Sequence, residues 1–212
     1  MRATSRTVSA ASSLLGLLFV TACALPEAPP DERYYRLEAV SPERVFDQPP
    51  IDGTVEVARF SSAAMTDDRA LVFSEDGGES LQRYSYHLWT DAPTIMIQGA
   101  LTDTLSAANA AERVVTPELR IQSDYRLDGR LLRLEHHLAP AEGQVIAVMQ
   151  IGLRGVREDD FVLLQTYREE VEVPDEGANA AARSMQTAFE RILNRFLADL
   201  DDTQVTASRE AR

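Results

Sequence analysis

A helix at the C-terminus sets the terms for the rest of this chain. From Ala178 to Leu200, the residues Met185, Phe189, Ile192, Leu193, Phe196 and Leu200 recur at helical spacing and make one apolar stripe, opposite Arg183, Glu190, Arg191 and Arg195. A helix this one-sided must cover apolar surface, and the natural candidate is the chain's own sheet. The strands for such a sheet lie upstream. Tyr34 to Leu37 and Thr54 to Phe60 read as strands, the second with Val55 and Val57 alternating with polar neighbours. Ala70 to Ser74 and Leu81 to Tyr86 flank Glu75 to Glu79, whose Asp76-Gly77 pair supplies the positive φ values of a hairpin turn. Ala92 to Asn109 then switches to helical spacing through Ile97, Leu101, Leu105 and Ala108, with Asp91 and Pro93 suited to its start. Further β-prone runs follow at Glu118 to Leu127, Leu131 to Leu138, Val145 to Val156 and Phe161 to Val173. The segment from Tyr125 to Arg130 is expected to be the turn between the first two. The expected fold is a single α+β domain, a largely antiparallel sheet with two amphipathic helices, spanning residues 34–200, with a frayed tail at 201–212.

The other end of the chain carries an export signal. Arg2 and Arg6 precede the short apolar run Leu14 to Val20, which is about half the roughly 20 residues of a permanent membrane span. Val20-Thr-Ala-Cys23 resembles the lipobox of bacterial lipoprotein signals. It predicts cleavage of residues 1–22 between Ala22 and Cys23, and a diacylglycerol and an acyl chain on Cys23. Several acyl chains at roughly 0.8 kcal/mol per buried methylene would hold the protein to a membrane. Cys23 is the only cysteine, so no internal disulfide can form. Ala24 would be the second mature residue; the absence of Asp there is expected to direct the protein to the outer membrane, facing the periplasm. The lipidated Cys and Pro26, Pro29 and Pro30 make residues 23–33 a tether.

Net charge excludes one class of partner. The whole chain carries −13, and Arg2 and Arg6 lie in the cleaved part, so the mature chain carries −15. Such a surface opposes nucleic acid. The motif search also excludes much: the sequence contains no phosphate-binding or dinucleotide-binding loop, nucleophile elbow or zinc-helix motif, and a lone Cys cannot supply cysteine pairs for zinc. His136-His137 is the one histidine cluster, but neighbours on a strand point to opposite faces and cannot share one ion, so both are expected to be solvated or hydrogen-bonded. The doublets Asp67-Asp68, Asp159-Asp160, Glu169-Glu170 and Asp201-Asp202 lack calcium-loop spacing and are expected at solvated turns and strand edges. Trp89, the only tryptophan, is expected to wedge the first helix onto the sheet. No catalytic residue, metal site or cofactor is assigned, beyond the lipid on Cys23.

Arg33-Tyr-Tyr-Arg-Leu37 soon after the Cys, Tyr86-His-Leu-Trp89 before the first helix, and Tyr125-Arg-Leu-Asp-Gly-Arg130 resemble the ABC-type transport auxiliary lipoproteins, the PqiC-like partners of MCE-type lipid transporters. Leu88 stands where the family often has Arg, and Pro93 lies one position further from Trp89 than is usual. The resemblance implies a non-enzymatic docking component of an MCE/ABC-type phospholipid transport system. Its implied partner is an MCE-domain protein, and it is expected to form a homo-oligomer. The alternative is a lipoprotein that regulates or scaffolds a cell-wall enzyme or an outer-membrane secretion complex.

Overall fold

The computed structural model describes residues 30–139, 143–157, 160–175 and 177–202. The chain divides at Pro30/Asp31, and the account below concerns the unit from Asp31 onward. The positions Ala22, Cys23 and Ala24, with the signal segment and most of the tether, lie outside the described residues.

In chain order the elements are β1 (Arg33–Tyr35), β2 (Ile51–Val57), β3 (Ser61–Ser62), β4 (Ala70–Ser74), β5 (Gln82–Trp89), α1 (Pro93–Ala107) and β6 (Ala111–Val115). A single 3₁₀ turn (Pro117–Leu119) leads to β7 (Tyr125–His137), β8 (Gly143–Gly155), β9 (Phe161–Val173) and α2 (Ala178–Asp202). Strands β7, β8 and β9 form an antiparallel ladder. The other edge of β7 is shared by three strands in turn, all parallel to it: β2 at Tyr125 to Leu127, β3 at Arg130 and Leu131, and β4 at His136 and His137. Strand β6 extends β2, and β5 and β1 extend β4.

The sheet is therefore mixed, not largely antiparallel. Among the described residues five of eight strand pairings are parallel, while the β7–β8–β9 ladder and the β4–β5 hairpin are antiparallel. Parallel pairing needs a crossover, and α1 completes one by carrying the chain from β5 to β6, which pairs with β2. Turn chemistry advertises hairpins, whereas a crossover leaves no local mark.

Two expected strands and the turn between them are also corrected. Most of Glu118 to Leu127 is not strand: Pro117–Leu119 is a 3₁₀ turn and Arg120 takes φ 52°, which ends regular pairing until Tyr125. Tyr125 to Arg130 is not a turn but the first half of β7. Gly129 serves close approach instead: a Cβ there would lie 2.1 Å from two ring carbons of Phe60, a core side chain only 3% exposed. At the β4–β5 turn, Gly77 and Gly78 hold the positive φ values, 73° and 98°, and Asp76 instead accepts hydrogen bonds from Ser74 and Ser80. Strand β6 was not anticipated; its five residues are too few to show a period.

Both helices bury the expected faces. In α1, Ile97, Leu101 and Leu105 are each 1% exposed, and Pro93 opens the helix. Its cap comes from outside: Ala92 offers no side chain, and Asp67 Oδ1 accepts the Thr94 N–H at 3.1 Å. Asn109, at φ 53°, turns the chain out of the helix, and its amide donates to the Phe46 carbonyl at 2.8 Å. Helix α2 packs on β8 and β9 and runs to Asp202, two residues beyond the expected end; 203–212 lie outside the described residues. Every residue of its apolar stripe is buried. Tyr167 of β9 meets Phe196 edge-on and donates its hydroxyl to Asp199 at 2.7 Å. The edge of β9 is partly closed by α2 as well, since Arg195 and Ser184 donate to the carbonyls of Arg168 and Glu172.

Candidate functional site

The carboxylate doublets are structural where they are described. Besides capping α1, Asp67 lies 3.7 Å from Arg59; Asp68 holds the Ala70 N–H and pairs with Arg83 at 2.6 Å. Glu169 pairs with Arg195, Glu170 with Arg168 and Asp201 with Arg44. Asp159 lies outside the described residues. Among the described residues no group of three His, Cys, Asp or Glu is placed to hold a metal ion.

His136 and His137 do point apart, but neither is solvated: they are 1% and 5% exposed. His137 lies 2.9 Å from Glu135 Oε2 and 3.0 Å from the Arg133 guanidinium. Burial disfavours the Glu135 carboxylate, yet hydrogen bonds from Arg133 and His137 outweigh it and hold the group below its ordinary range. His136 belongs to a chain of rings across the sheet. Tyr35 donates to Asn179 of α2 and lies 2.7 Å from His87 Nδ1; Tyr84 stacks edge-on against His87 and lies 2.9 Å from His136 Nδ1. Burial raises the Tyr84 hydroxyl to about 12, raises Tyr35 and lowers both His87 and His136, so it favours the neutral form of each of the four. Sequence reasoning missed His87 and Tyr84, because their meeting with Tyr35 and His136 depends on the β1–β5–β4–β7 order.

A neutral buried imidazole links stability to pH. Since the folded value of His136 is depressed, its contribution is complete above the unfolded value of about 6.5 and is lost as pH falls through that value towards the folded one. Urea unfolding should show lower stability at pH 5.5 than at 7.5, and His136→Gln should lose less on acidification than wild type; an equal loss would place the acid sensitivity elsewhere.

A concavity lies along α2. After β1 the chain crosses this helix as a strap, parallel to it and pinned by three side-chain amides. Asn179 accepts from Tyr35, Gln186 Oε1 accepts the Glu38 N–H at 2.9 Å while its amide donates to the Glu38 carbonyl, and Asn194 accepts the Glu43 N–H at 3.0 Å. Leu37, Val40 and Phe46 anchor the strap in the core. Between strap and helix is a groove of about 410 Å³, lined among others by Tyr35, Arg36, Glu38, Arg183, Gln186 and Glu190.

The outer face of β7–β8–β9 is an ionic ladder. Arg126 bridges Glu56 and Asp128, and Arg154 joins Asp128. Gly152 leaves room for Phe161 and Leu164, both about half exposed, to lie against the sheet. Neither surface places a nucleophile beside a base; both are suited to binding.

Comparison with known proteins places this architecture. Residues 35–196 match the model of the ABC-type transport auxiliary lipoprotein component, well over half of the chain. The chain belongs to that family. Membership in the auxiliary lipoprotein family makes it a component of transport rather than a member of an enzyme family, and associates it with a membrane. No curated protein matches it. Among solved structures it is similar to protein XCC0632 from Xanthomonas campestris, with a TM-score of 0.73 and 18% identity over 84% of this chain and 99% of that one. An uncharacterized protein follows with a TM-score of 0.62 and 10% identity over 81% and 99%. At these identities the likeness establishes the fold alone.

Proposed function

We propose that this protein is the lipid-anchored auxiliary subunit of an MCE-type phospholipid transport system, held at the outer membrane by Cys23. There it docks the MCE-domain protein from the periplasmic side, as a homo-oligomer, and turns over nothing. The observation that carries the reading is the family match over residues 35–196, in a chain whose only cysteine follows a segment with the residue pattern of an export signal. Two features support it. The described titratable clusters are hydrogen-bonded into the fold and offer no activated nucleophile. The strap, zipped to α2 by Asn179, Gln186 and Asn194, ties the start of the domain to its last helix, as suits a docking component.

In the native host, crosslinking of a tagged protein should recover the MCE-domain protein encoded nearby. Cys23→Ala should abolish labelling by a palmitate analogue, and Ala24→Asp should move the protein from the outer to the inner membrane. Recovery of a cell-wall synthase or a secretion-ring component in place of the MCE protein would replace the transport reading by the regulatory or scaffolding one.

A further inference from the structure

The groove between the strap and α2 separates charge in a way the fold itself does not use. The strap runs parallel to the helix, as the pairs Tyr35 with Asn179, Glu38 with Gln186, Glu43 with Asn194 and Arg44 with Asp201 show. Arg36 and Arg183 therefore stand at the end nearer the start of α2, and Glu38 and Glu190 at the other. Arg183 and Glu190 are seven positions apart on one helix face, about 10 Å at ~1.5 Å per residue. Arg36 and Glu38 flank the buried Leu37 in extended chain and so project to the same side, away from the core.

No ion pair among the described residues joins either guanidinium to either carboxylate; Arg183 makes only an exposed 3.6 Å contact with Asp175. Between the two ends, Gln186 is held by both backbone groups of Glu38 and donates to Glu190 Oε1 at 3.1 Å, which fixes the floor of the groove and orients one carboxylate.

We infer that this groove binds a small zwitterion with a phosphate at one end and an ammonium at the other, the chemistry of a phosphoethanolamine group. A planar guanidinium fork matches phosphate oxygens, and two carboxylates suit an ammonium, which has donors only. The whole-molecule charge selects against the simpler ligand. A mature chain at −15 repels a purely anionic phosphate, whereas a zwitterion carries no net charge and gains at both ends of the groove. Two sources could supply this chemistry: a phospholipid headgroup in a bilayer or a soluble phosphoethanolamine ester. The transport reading bears only on which source applies; binding itself rests on the groove.

The test uses the mature chain from residue 23 with Cys23→Ser, titrated by NMR with glycerophosphoethanolamine and, separately, with glycerophosphoglycerol, which lacks the ammonium. The first should bind and shift the Gln186 side-chain amide and the Arg183 Nε–H; the second should bind at least about fivefold more weakly. Arg36→Gln/Arg183→Gln should weaken binding about tenfold or more, and Glu38→Gln/Glu190→Gln should abolish the preference for the ammonium-bearing ester. Arg36, Glu38 and Arg183 are exposed and Glu190 is half-buried; melting temperatures unchanged in both double variants exclude unfolding as the cause. Co-sedimentation with phosphatidylethanolamine/phosphatidylcholine vesicles, but not with phosphatidylglycerol vesicles, would assign the ligand to a lipid surface. Binding of the soluble ester without the vesicles would assign it to a free zwitterion. Equal binding of both esters, unchanged binding by the double variants, or no saturable binding would overturn the inference. Loss of MCE crosslinking with the preference intact would reject the transport reading and leave this site standing.

Discussion

Phe189→Ala should destabilise the domain by roughly 3 to 5 kcal/mol, the usual range for deleting a buried phenyl ring where the surroundings collapse only in part. Phe189 is 2% exposed in the middle of the α2 stripe, between Met185 and Ile192, which are both fully buried. The helix lies on β8 and β9, whose inward residues Val145, Ala147, Met149, Ile151, Leu153 and Tyr167 are all buried. Such a floor consists of hydrogen-bonded strands in fixed register, so it cannot move up to fill the space. Urea denaturation with an unchanged m-value would measure the loss. A change below about 1 kcal/mol would mean that α2 can leave the sheet and that its stripe is available to a partner.

Gly129→Ala should be nearly as damaging although it adds one methyl group. The new carbon would meet two ring carbons of Phe60 at 2.1 Å, and the ring has no solvent to swing into. Gly129 is flanked by β8 through Ile151 on one side and by β3, which pairs one residue on, at Arg130, on the other, so its backbone cannot yield either. Overpacking of this kind costs about 1 to 3 kcal/mol, and the upper end is expected here. Pairing it with Phe60→Ala should be informative: that change alone leaves a cavity, but it also removes the clash, so the double variant should be more stable than the sum of the two losses. Strict additivity would show that Gly129 is required for some reason other than the ring.

Tyr125 to Arg130 shows how a local signal misleads. The Asp128-Gly129 pair has turn composition, yet the chain runs straight through it, because the glycine answers a tertiary demand: room for a ring from residue 60. The histidine pair teaches a related lesson. That the two rings face opposite ways followed from strand geometry alone, while the burial of His136 did not, since Tyr84 reaches it only once β4, β5 and β7 are assembled. The groove along α2 was invisible for the same reason. Its two walls, residues 35–39 and 179–190, are separated by more than half the chain, and neither carries a motif.

The α1 stripe, the α2 stripe, the bounds of β9 and, to within two residues, those of β8 were legible because hydrophobic periodicity belongs to a segment and does not depend on what the segment meets. The family was legible as well, through short aromatic and arginine motifs that mark where elements begin. What only the tertiary structure decided is pairing and depth: that β7 shares one edge among three parallel strands, that Gly129 sits under Phe60, that Asp67 caps a helix 26 residues later, and that four charges line one groove. Those features rest on contacts between distant parts of the chain. Each depends on which crossovers the chain has made, and a crossover has no residue pattern of its own.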